Sequence, residues 1–545
     1  MNRKRFMRDL QTGALSVRRF SLFIAFVSVF ALSASAGKCL IGHGWDFLDA
    51  TTDDVHRNRA KFAATGLDGV LLPVDGVKDD GSFLCGRSIM RNPAYSMSGF
   101  KGVDAKLREI TACDGLRESL ALTMLVSNKR IAWDDDAAWS TISNNMAVIA
   151  RLARAGGLKG VAIDHEDYYK TRQFNRLPDD PAGTWELARA RGRAVFGGLF
   201  AEFPDSKLLG FWLFSDSGVL WKAFLNGMLD VAPSGVRFID GNENCGYECD
   251  ALKDGFRSDF WFMSRRLREQ ALPGNRAKYD MVFSASFGQY LDMYTNKEGS
   301  RYYFGPLGGS RLARLEDNLC EAVRYSDDLV WVYAERGTWV DWDDKRTVKL
   351  GRPTWESRLP GLSKVLRIAA GDGSGIADDV ARGVLTNLIV NPGCDSVAGR
   401  RLPFYGWSRL GDKFSDRIFF HDPAVGRTSP GSLKLAGDGC FCLGAKGLKP
   451  GESVYLQVWV KGEGSVGFDW QTGKTRHWYY RRDFLRPTGR RDGQWREIFA
   501  RLRVPEGVDS LNFSLSGFNS CPENPVWFDD CAVYVKTIGR RTAAH

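Results

Sequence analysis

From Cys39 to about Glu335, short apolar runs alternate with longer stretches whose apolar residues recur every three or four positions. The runs CLIGHGW (39–45), GVLLPV (69–74), LALTMLVS (120–127), GVAID (160–164), KLLGFWLF (207–214), VRFID (236–240), YDMVFSASF (279–287) and DLVWVYAE (328–335) read as strands. Between them lie helical patterns such as AAWSTISNNMAVIARLARAG (137–156), which Gly156 and Gly157 bring to a stop. Strands alternating with helices predict a parallel sheet, and eight such units in about 300 residues match a (β/α)8 TIM barrel. An open doubly wound sheet is the alternative. It is disfavoured because no Gly-rich phosphate-binding turn follows the first strand.

The pattern changes after Arg336. TWVDWDDKRTVKLGRPTWESRLPGL is dense in Trp and charge, and AAGDGSGIADD reads as a turn-rich connection. From about Leu385 to Val535 short strands follow one another with no long helical pattern. The alternation Val454, Leu456, Val458, Val460 predicts a half-buried antiparallel sheet and an all-β sandwich. The expected division is a leader over 1–36, the barrel over 37–350, a connection over 351–385, the sandwich over 386–537 and a tail over 538–545.

The leader is read from charge and hydropathy together. Arg3, Lys4, Arg5, Arg8, Arg18 and Arg19 precede SLFIAFVSVFAL, and small residues follow to Ala36, the pattern of a cleaved secretory signal peptide and of export. The whole chain carries a formal charge of +10, and six basic residues and Asp9 belong to the leader, so the remainder carries +5. That balance is small for the length. With no basic helix or zinc-knuckle spacing, nucleic acid is not an expected partner, and neither is a nucleotide. Eleven cysteines in an exported chain predict some disulfides, with at least one thiol left over. Cys440 and Cys442, at i and i+2, share a face and invite Cys394, Cys521 or Cys531 as partner. Cys245 and Cys249 form a lone C-x3-C, which more often marks a stapled or buried loop than a metal site. No cofactor or metal is expected.

Acids at the carboxyl ends of barrel strands carry the chemistry. The first strand ends in His43, Trp45 and Asp46, the fourth in Asp164 and Glu166, the sixth in Asp240 and Glu243, and the eighth in Glu335. Along a strand side chains alternate, so Asp164 and Glu166 share the inward face and His165 points away. Two carboxyl groups across a mouth are what glycosidic hydrolysis needs, one protonated and one ionised. Asp164 beside Glu166 would keep Glu166 protonated as the acid, with Glu335 or Glu243 as second carboxylate. The competing reading makes Asp164 or Asp167 a helix cap and Glu335 an ion-pair partner of Arg336. Trp45, Asp46, Tyr168, Asp240, Tyr247, Tyr290 and Trp339 are candidate contacts to a poly- or oligosaccharide, since flat rings stack on sugar faces. Trp212 and Trp331, inside predicted strands, read as core. A Ser/His/Asp triad is disfavoured because no G-x-S-x-G turn follows a barrel strand. A non-catalytic glycan-binding or cell-surface structural protein with a degenerate hydrolase barrel is the rival class.

Three resemblances add to this reading. GVAIDHEDYY resembles the fourth-strand motif of chitinase-like glycoside hydrolases, D-x-x-D-x-D-x-E, but aligned on Glu166 only Asp164 matches, with Ala162 and Lys159 at the other two positions. HGWDF, LDGV, LKGVAIDHEDYY, FLNGMLDVA, FIDGNENCGYECD, SFGQYLD, LVWVYAE and TWESRLPG resemble a group of exported bacterial glycoside-hydrolase-like barrels. NLIVNPGCD, GSLKLAGDG, YLQVWVKGEG, GQWREIFARLRVPEG and VWFDDCAVYV resemble CenC-like carbohydrate-binding modules. That last resemblance implies a jelly-roll of galactose-binding-like topology, with Trp407, Trp470, Trp478 and Tyr479 as rings for sugar and Asp529 and Asp530 as structural residues.

Overall fold

The computed structural model describes residues 38–216, 218–343, 352–394, 408–411, 418–437, 439–473, 475–476, 484–485, 493–517 and 520–537. The expected leader therefore lies outside the described residues, as do Trp407, Trp478 and Tyr479.

Nine parallel strands form one curled sheet: β1 (Cys39–Gly44), β2 (Gly69–Leu72), β3 (Leu120–Met124), β4 (Gly160–Asp164), β5 (Lys207–Gly210), β6 (Arg237–Asp240), β7 (Phe283–Ala285), β8 (Gly288–Tyr290) and β9 (Leu329–Ala334). Their order across the sheet is β8-β9-β1-β2-β3-β4-β5-β6-β7. The two strands at the ends of that order, β7 and β8, are separated in the chain by only Ser286 and Phe287. Both linking residues stay hydrogen-bonded, Ser286 N to Asp240 O at 3.0 Å and Trp331 N to Phe287 O at 3.3 Å. The strands are almost wholly buried, as near-continuous apolar runs in a parallel sheet require.

Helices α1 (Val103–Thr111), α2 (Asp136–Ala155), α3 (Thr184–Glu202), α4 (Val219–Val231), α5 (Glu243–Glu248), α6 (Gly255–Arg266), α7 (Arg311–Tyr325) and α8 (Leu362–Ala370) connect and flank the strands. Asp135 caps α2 by accepting from Ala138 N at 3.0 Å. Helices α3 and α4 approach closely where glycine permits it, since a Cβ on Gly192 would lie 2.0 Å from Phe224 O.

Two predicted strands end elsewhere than the apolar pattern suggests. KLLGFWLF leaves the sheet after Gly210, because the Asp240 carboxylate draws Phe214 N (2.6 Å) and Ser215 N (2.8 Å) away from the ladder. YDMV belongs to a short helix, Arg276–Val282, whose Tyr279 and Val282 are buried at helical spacing, and the strand begins at Phe283.

Two antiparallel sheets follow. One contains β10 (Leu385–Asn387), β12 (Phe419–Asp422), β13 (Ser432–Leu435), β15 (Ser453–Lys461), β17 (Arg496–Arg503) and β19 (Val526–Lys536). The other contains β11 (Ser408–Gly411), β14 (Gly439–Lys446), β16 (Gly464–Thr472) and β18 (Ser510–Gly517), with two short strands, Thr475–Arg476 and Phe484–Leu485. Val454, Leu456, Val458 and Val460 are fully buried, as their alternation predicts, and share a core with Phe468, Trp470, Phe513 and Phe528. Trp470 is thus a core residue and offers no face to a sugar. Asp529 and Asp530 pin a loop, accepting from Arg427 N at 2.7 Å and Thr428 Oγ1 at 2.7 Å.

Among the described residues, which include all eleven cysteines, no disulfide is formed. Cys440 and Cys442 face each other on one strand with sulfurs 3.4 Å apart. Cys394 lies against Cys531, and Cys249 donates to Asp259 at 3.2 Å.

The outer face of β15 and β17 packs on α7 and α8 of the first unit. Arg501 pairs with Glu316 at 3.2 Å and with Asp317, Arg503 also pairs with Asp317, and Tyr455 O–H reaches Glu316 at 3.2 Å. Asp317 is fully buried. Farther along the same sheet, Gly373 N donates to Glu497 at 2.9 Å.

Candidate active site

The carboxyl ends of the parallel strands gather one group of rings and acids. His43 on β1 lies 5.6 Å from Phe211, just past β5, so both point to the concave side of the sheet. From β9, Trp331 stacks on Phe211 at 4.5 Å, and Tyr333 stacks on Tyr247 and Tyr290 at 6.1 and 5.4 Å. Trp331 and Tyr333 alternate along β9 and share this face, and Glu335, one residue past the strand's end, accepts from the Tyr333 hydroxyl.

Four acids meet above these rings. Glu243 opens α5 immediately after β6. Its Oε1 accepts from Tyr247 O–H at 3.1 Å, and its Oε2 is buried with no hydrogen-bond partner among the described residues. Burial, then the negative charges of Glu166, Asp164 and Glu335, push its carboxyl up to about 8, while the Tyr247 bond works the other way. Asp164 ends β4 and is buried. Its Oδ1 accepts from Glu166 N at 2.9 Å, and its Oδ2 from Tyr168 O–H at 2.9 Å. Burial raises it to about 6, although both hydrogen bonds favour the charged form. The Glu166 bond is a local turn, so Asp164 caps the chain's departure from the sheet and no helix begins there. Glu166 itself is exposed. Glu335 is half-buried, accepts from Tyr333 O–H at 3.2 Å, and gives its own N–H to Asp292 at 2.8 Å.

The structure thus brings together Glu166, Asp164, Glu243 and Glu335, with Tyr168, Tyr247 and Tyr290 among them. Trp45 stands at the rim, exposed, with its indole N–H donating to the Tyr333 hydroxyl at 2.7 Å and the Arg352 guanidinium 5.1 Å over its ring. Three candidate contacts are spent inside the protein. Asp46 accepts from Trp339 N at 2.9 Å, Trp342 Nε1 at 3.2 Å and Phe47 N at 3.1 Å. Trp339 is buried with its indole N–H on His43 O at 3.1 Å. Asp240 is fully buried and takes four donors, from Phe214 N, Ser215 N, Ser215 Oγ and Asn242 N. These residues hold loops in place.

Sequence reasoning passed over Tyr333 and His43's setting. Tyr333 was legible, because it lies two residues before Glu335 in the predicted strand, on the same expected face. His43 is buried beside Arg87, and burial first, then that positive charge, lowers it to about 3, so the ring is neutral. Its Nδ1 has no partner among the described residues. Asp292, which fixes the Glu335 backbone, comes from a short helical turn after β8 whose approach to Glu335 is set by tertiary packing alone.

No protein-family model matches the chain, and no curated protein matches it. Several solved structures are similar over about a quarter of it. They include the CBM22-1–GH10 modules of Clostridium thermocellum endo-1,4-β-D-xylanase 10B with xylohexaose (15% identity, 29% of this chain and 29% of that one, TM-score 0.20). Others are a family 16 carbohydrate-binding module (17% identity, 27% and 99%, TM-score 0.21) and a CBM4 module (13% identity, 27% and 99%, TM-score 0.20). The chain spans less than a third of the length of the xylanase fragment. Likeness at this level carries no argument about what the chain does.

Proposed function

We propose that this chain is an exported glycoside hydrolase that cleaves O-glycosidic bonds of a poly- or oligosaccharide with two carboxyl groups. The supporting frame is a closed (β/α)8 barrel, in which β7 and β8 are one strand interrupted at Ser286 and Phe287, followed by a jelly-roll sandwich. The observation that carries the reading is Glu243. Burial and the charges of Glu166, Asp164 and Glu335 push its carboxyl up to about 8, and its Oε2 has no partner among the described residues. A group in this state is suited to give a proton to a leaving oxygen.

The roles expected from sequence are therefore exchanged. Glu243 serves as general acid, and Glu166, exposed at the mouth, serves in its carboxylate form as nucleophile or as base toward water. Asp164 keeps negative charge beside the site and orients Glu166 through the Glu166 N–H. Glu335, with Tyr333 and Tyr290, forms the opposite wall. The exposed ring of Trp45 gives apolar surface to a pyranose, and the buried rings of Tyr247, Tyr290 and His43 form the layer beneath the acids. As the glycosidic bond breaks, the proton moves from Glu243 to the departing oxygen, and positive charge on the sugar ring is met by Glu166 and Asp164. Release of reducing ends from a polysaccharide panel tests this reading. Wild type is expected to act on at least one polymer, with Glu243→Gln and Glu166→Gln inactive on it. Binding without release would assign the chain to glycan recognition.

A further inference from the structure

A cavity of about 510 Å³ opens beside the site, walled by the loops after β3, β4 and β5. Its apolar lining includes Val126, Phe174, Trp212 and Val219, and its polar lining includes Ser127 and Asp216. Glu166 is the acid shared between this cavity and the four-carboxyl cluster, since Glu243, Asp164 and Glu335 do not line it. The volume falls within the roughly 300–1,000 Å³ typical of small-molecule sites.

Two features make the wall a built surface. Trp212 reads as strand core in the sequence, but Asp240 ends β5 early and turns this half-buried ring into the cavity wall. Edge-on against it, at 6.3 Å between ring centroids, His165 is buried, stacked on Trp221 at 3.7 Å and 5°, and its Nε2 lies 2.8 Å from Asp216 Oδ2. Gly218 N donates to Asp216 Oδ1 at 2.6 Å. Burial opposes charge on Asp216, but His165 and the Gly218 amide outweigh it and hold the carboxyl below its usual value. A fixed carboxylate is a strong acceptor for hydroxyl groups, and a tryptophan face accepts the C–H side of a sugar ring. Asp167, also in the lining, is occupied by Thr171 N, Thr171 Oγ1 and Arg172 N.

We infer that this cavity is a glycan subsite. It seats a neutral pyranose of the same chain, its apolar face on Trp212 and its hydroxyls on Asp216 and Ser127, while the neighbouring sugar lies between Glu166 and Glu243. The inference rests on the hydrolase reading and adds a substrate class to it: oligosaccharides long enough to fill the mouth and the cavity together. A monosaccharide glycoside with a small leaving group leaves the cavity empty.

The test uses the purified full chain and calorimetric titration with xylohexaose, cellohexaose, laminarihexaose and mannohexaose, with product lengths read from any hexaose that is cleaved. Trp212→Ala and Asp216→Asn are expected to weaken binding of the preferred hexaose about tenfold, the effect of losing one ring or charged contact, and to alter the product lengths. Trp212→Phe keeps an aromatic face and is expected to retain most of the affinity, which separates a lost contact from a disturbed fold. Hexaose binding and product lengths unchanged in both Trp212→Ala and Asp216→Asn would overturn the subsite, even with Glu166→Gln and Glu243→Gln inactive. Hexaose cleavage that survives both of those carboxyl substitutions would overturn the hydrolase reading instead. No binding of any hexaose by wild type contradicts both.

Discussion

Glu243 carries two opposed consequences. Its folded-state carboxyl titrates near 8 against an ordinary value of 4.5, so the native protein holds a proton that the unfolded chain releases across that interval. Stability therefore falls as pH rises from about 4.5 to 8, and changes no further from this group above that. Glu243→Gln removes the penalty. Its melting temperature is expected to gain on wild type steadily between pH 5 and pH 8, measured by calorimetric scans, while its kcat falls by about 10²–10⁴-fold, the usual worth of a general acid. In wild type, activity is expected to decline above about pH 8 as the acid deprotonates. At this scale the sequence was informative about which acids meet, because strand ends in a parallel α/β sheet converge. It was silent on which acid is protonated. That depends on the half-buried Glu243 standing at the start of a helix with its Oε2 enclosed while Glu166 is exposed, a difference no spacing along the chain encodes.

Asp240 shows how one side chain sets the shape of an element. Its carboxylate ends β5, turns Phe211–Ser215 outward, and so creates both the ring contact between Phe211 and Trp331 and the cavity wall at Trp212. Asp240→Ala leaves several buried donors unpaired at roughly 1–3 kcal/mol each, so a loss of about 3 kcal/mol or more is expected in urea denaturation. Asp240→Asn, which keeps the acceptor oxygen, is expected to lose less. Each of the eight apolar runs contains a strand of the parallel sheet, although Gly288–Tyr290 lies beyond them, and their alternation indicated which residues face the site. They misplaced the ends of KLLGFWLF and YDMVFSASF, because hydropathy reports burial and not hydrogen bonding. Phe214 and Tyr279 are buried in either conformation.

For the molecule as a whole, the antiparallel sheets are fastened to the helices of the parallel sheet by a buried ionic network. Asp317 has no exposure, and Arg501 joins it to Glu316. Removing one partner of a buried pair costs about 3–5 kcal/mol where the other is left alone, and less here because Arg503 remains paired with Asp317. Arg501→Ala is thus expected to lower the urea midpoint and to expose the sandwich to limited proteolysis, whereas a sandwich tethered only by its linker would be unaffected. The division into an α/β sheet and antiparallel sheets was legible from the change of period near Leu385. Their docking was not, since Asp317 and Arg501 read as an ordinary helix acid and an ordinary strand base until the fold brings them together. The central claim concerns the carboxyl pair, and reducing-end release across a polysaccharide panel, followed from pH 4 to pH 10, tests it most directly. The account predicts release by wild type from at least one polymer, falling above about pH 8 with the titration of Glu243, and none from Glu243→Gln or Glu166→Gln. Undiminished release by either variant, or no release from any polymer by wild type, would contradict it.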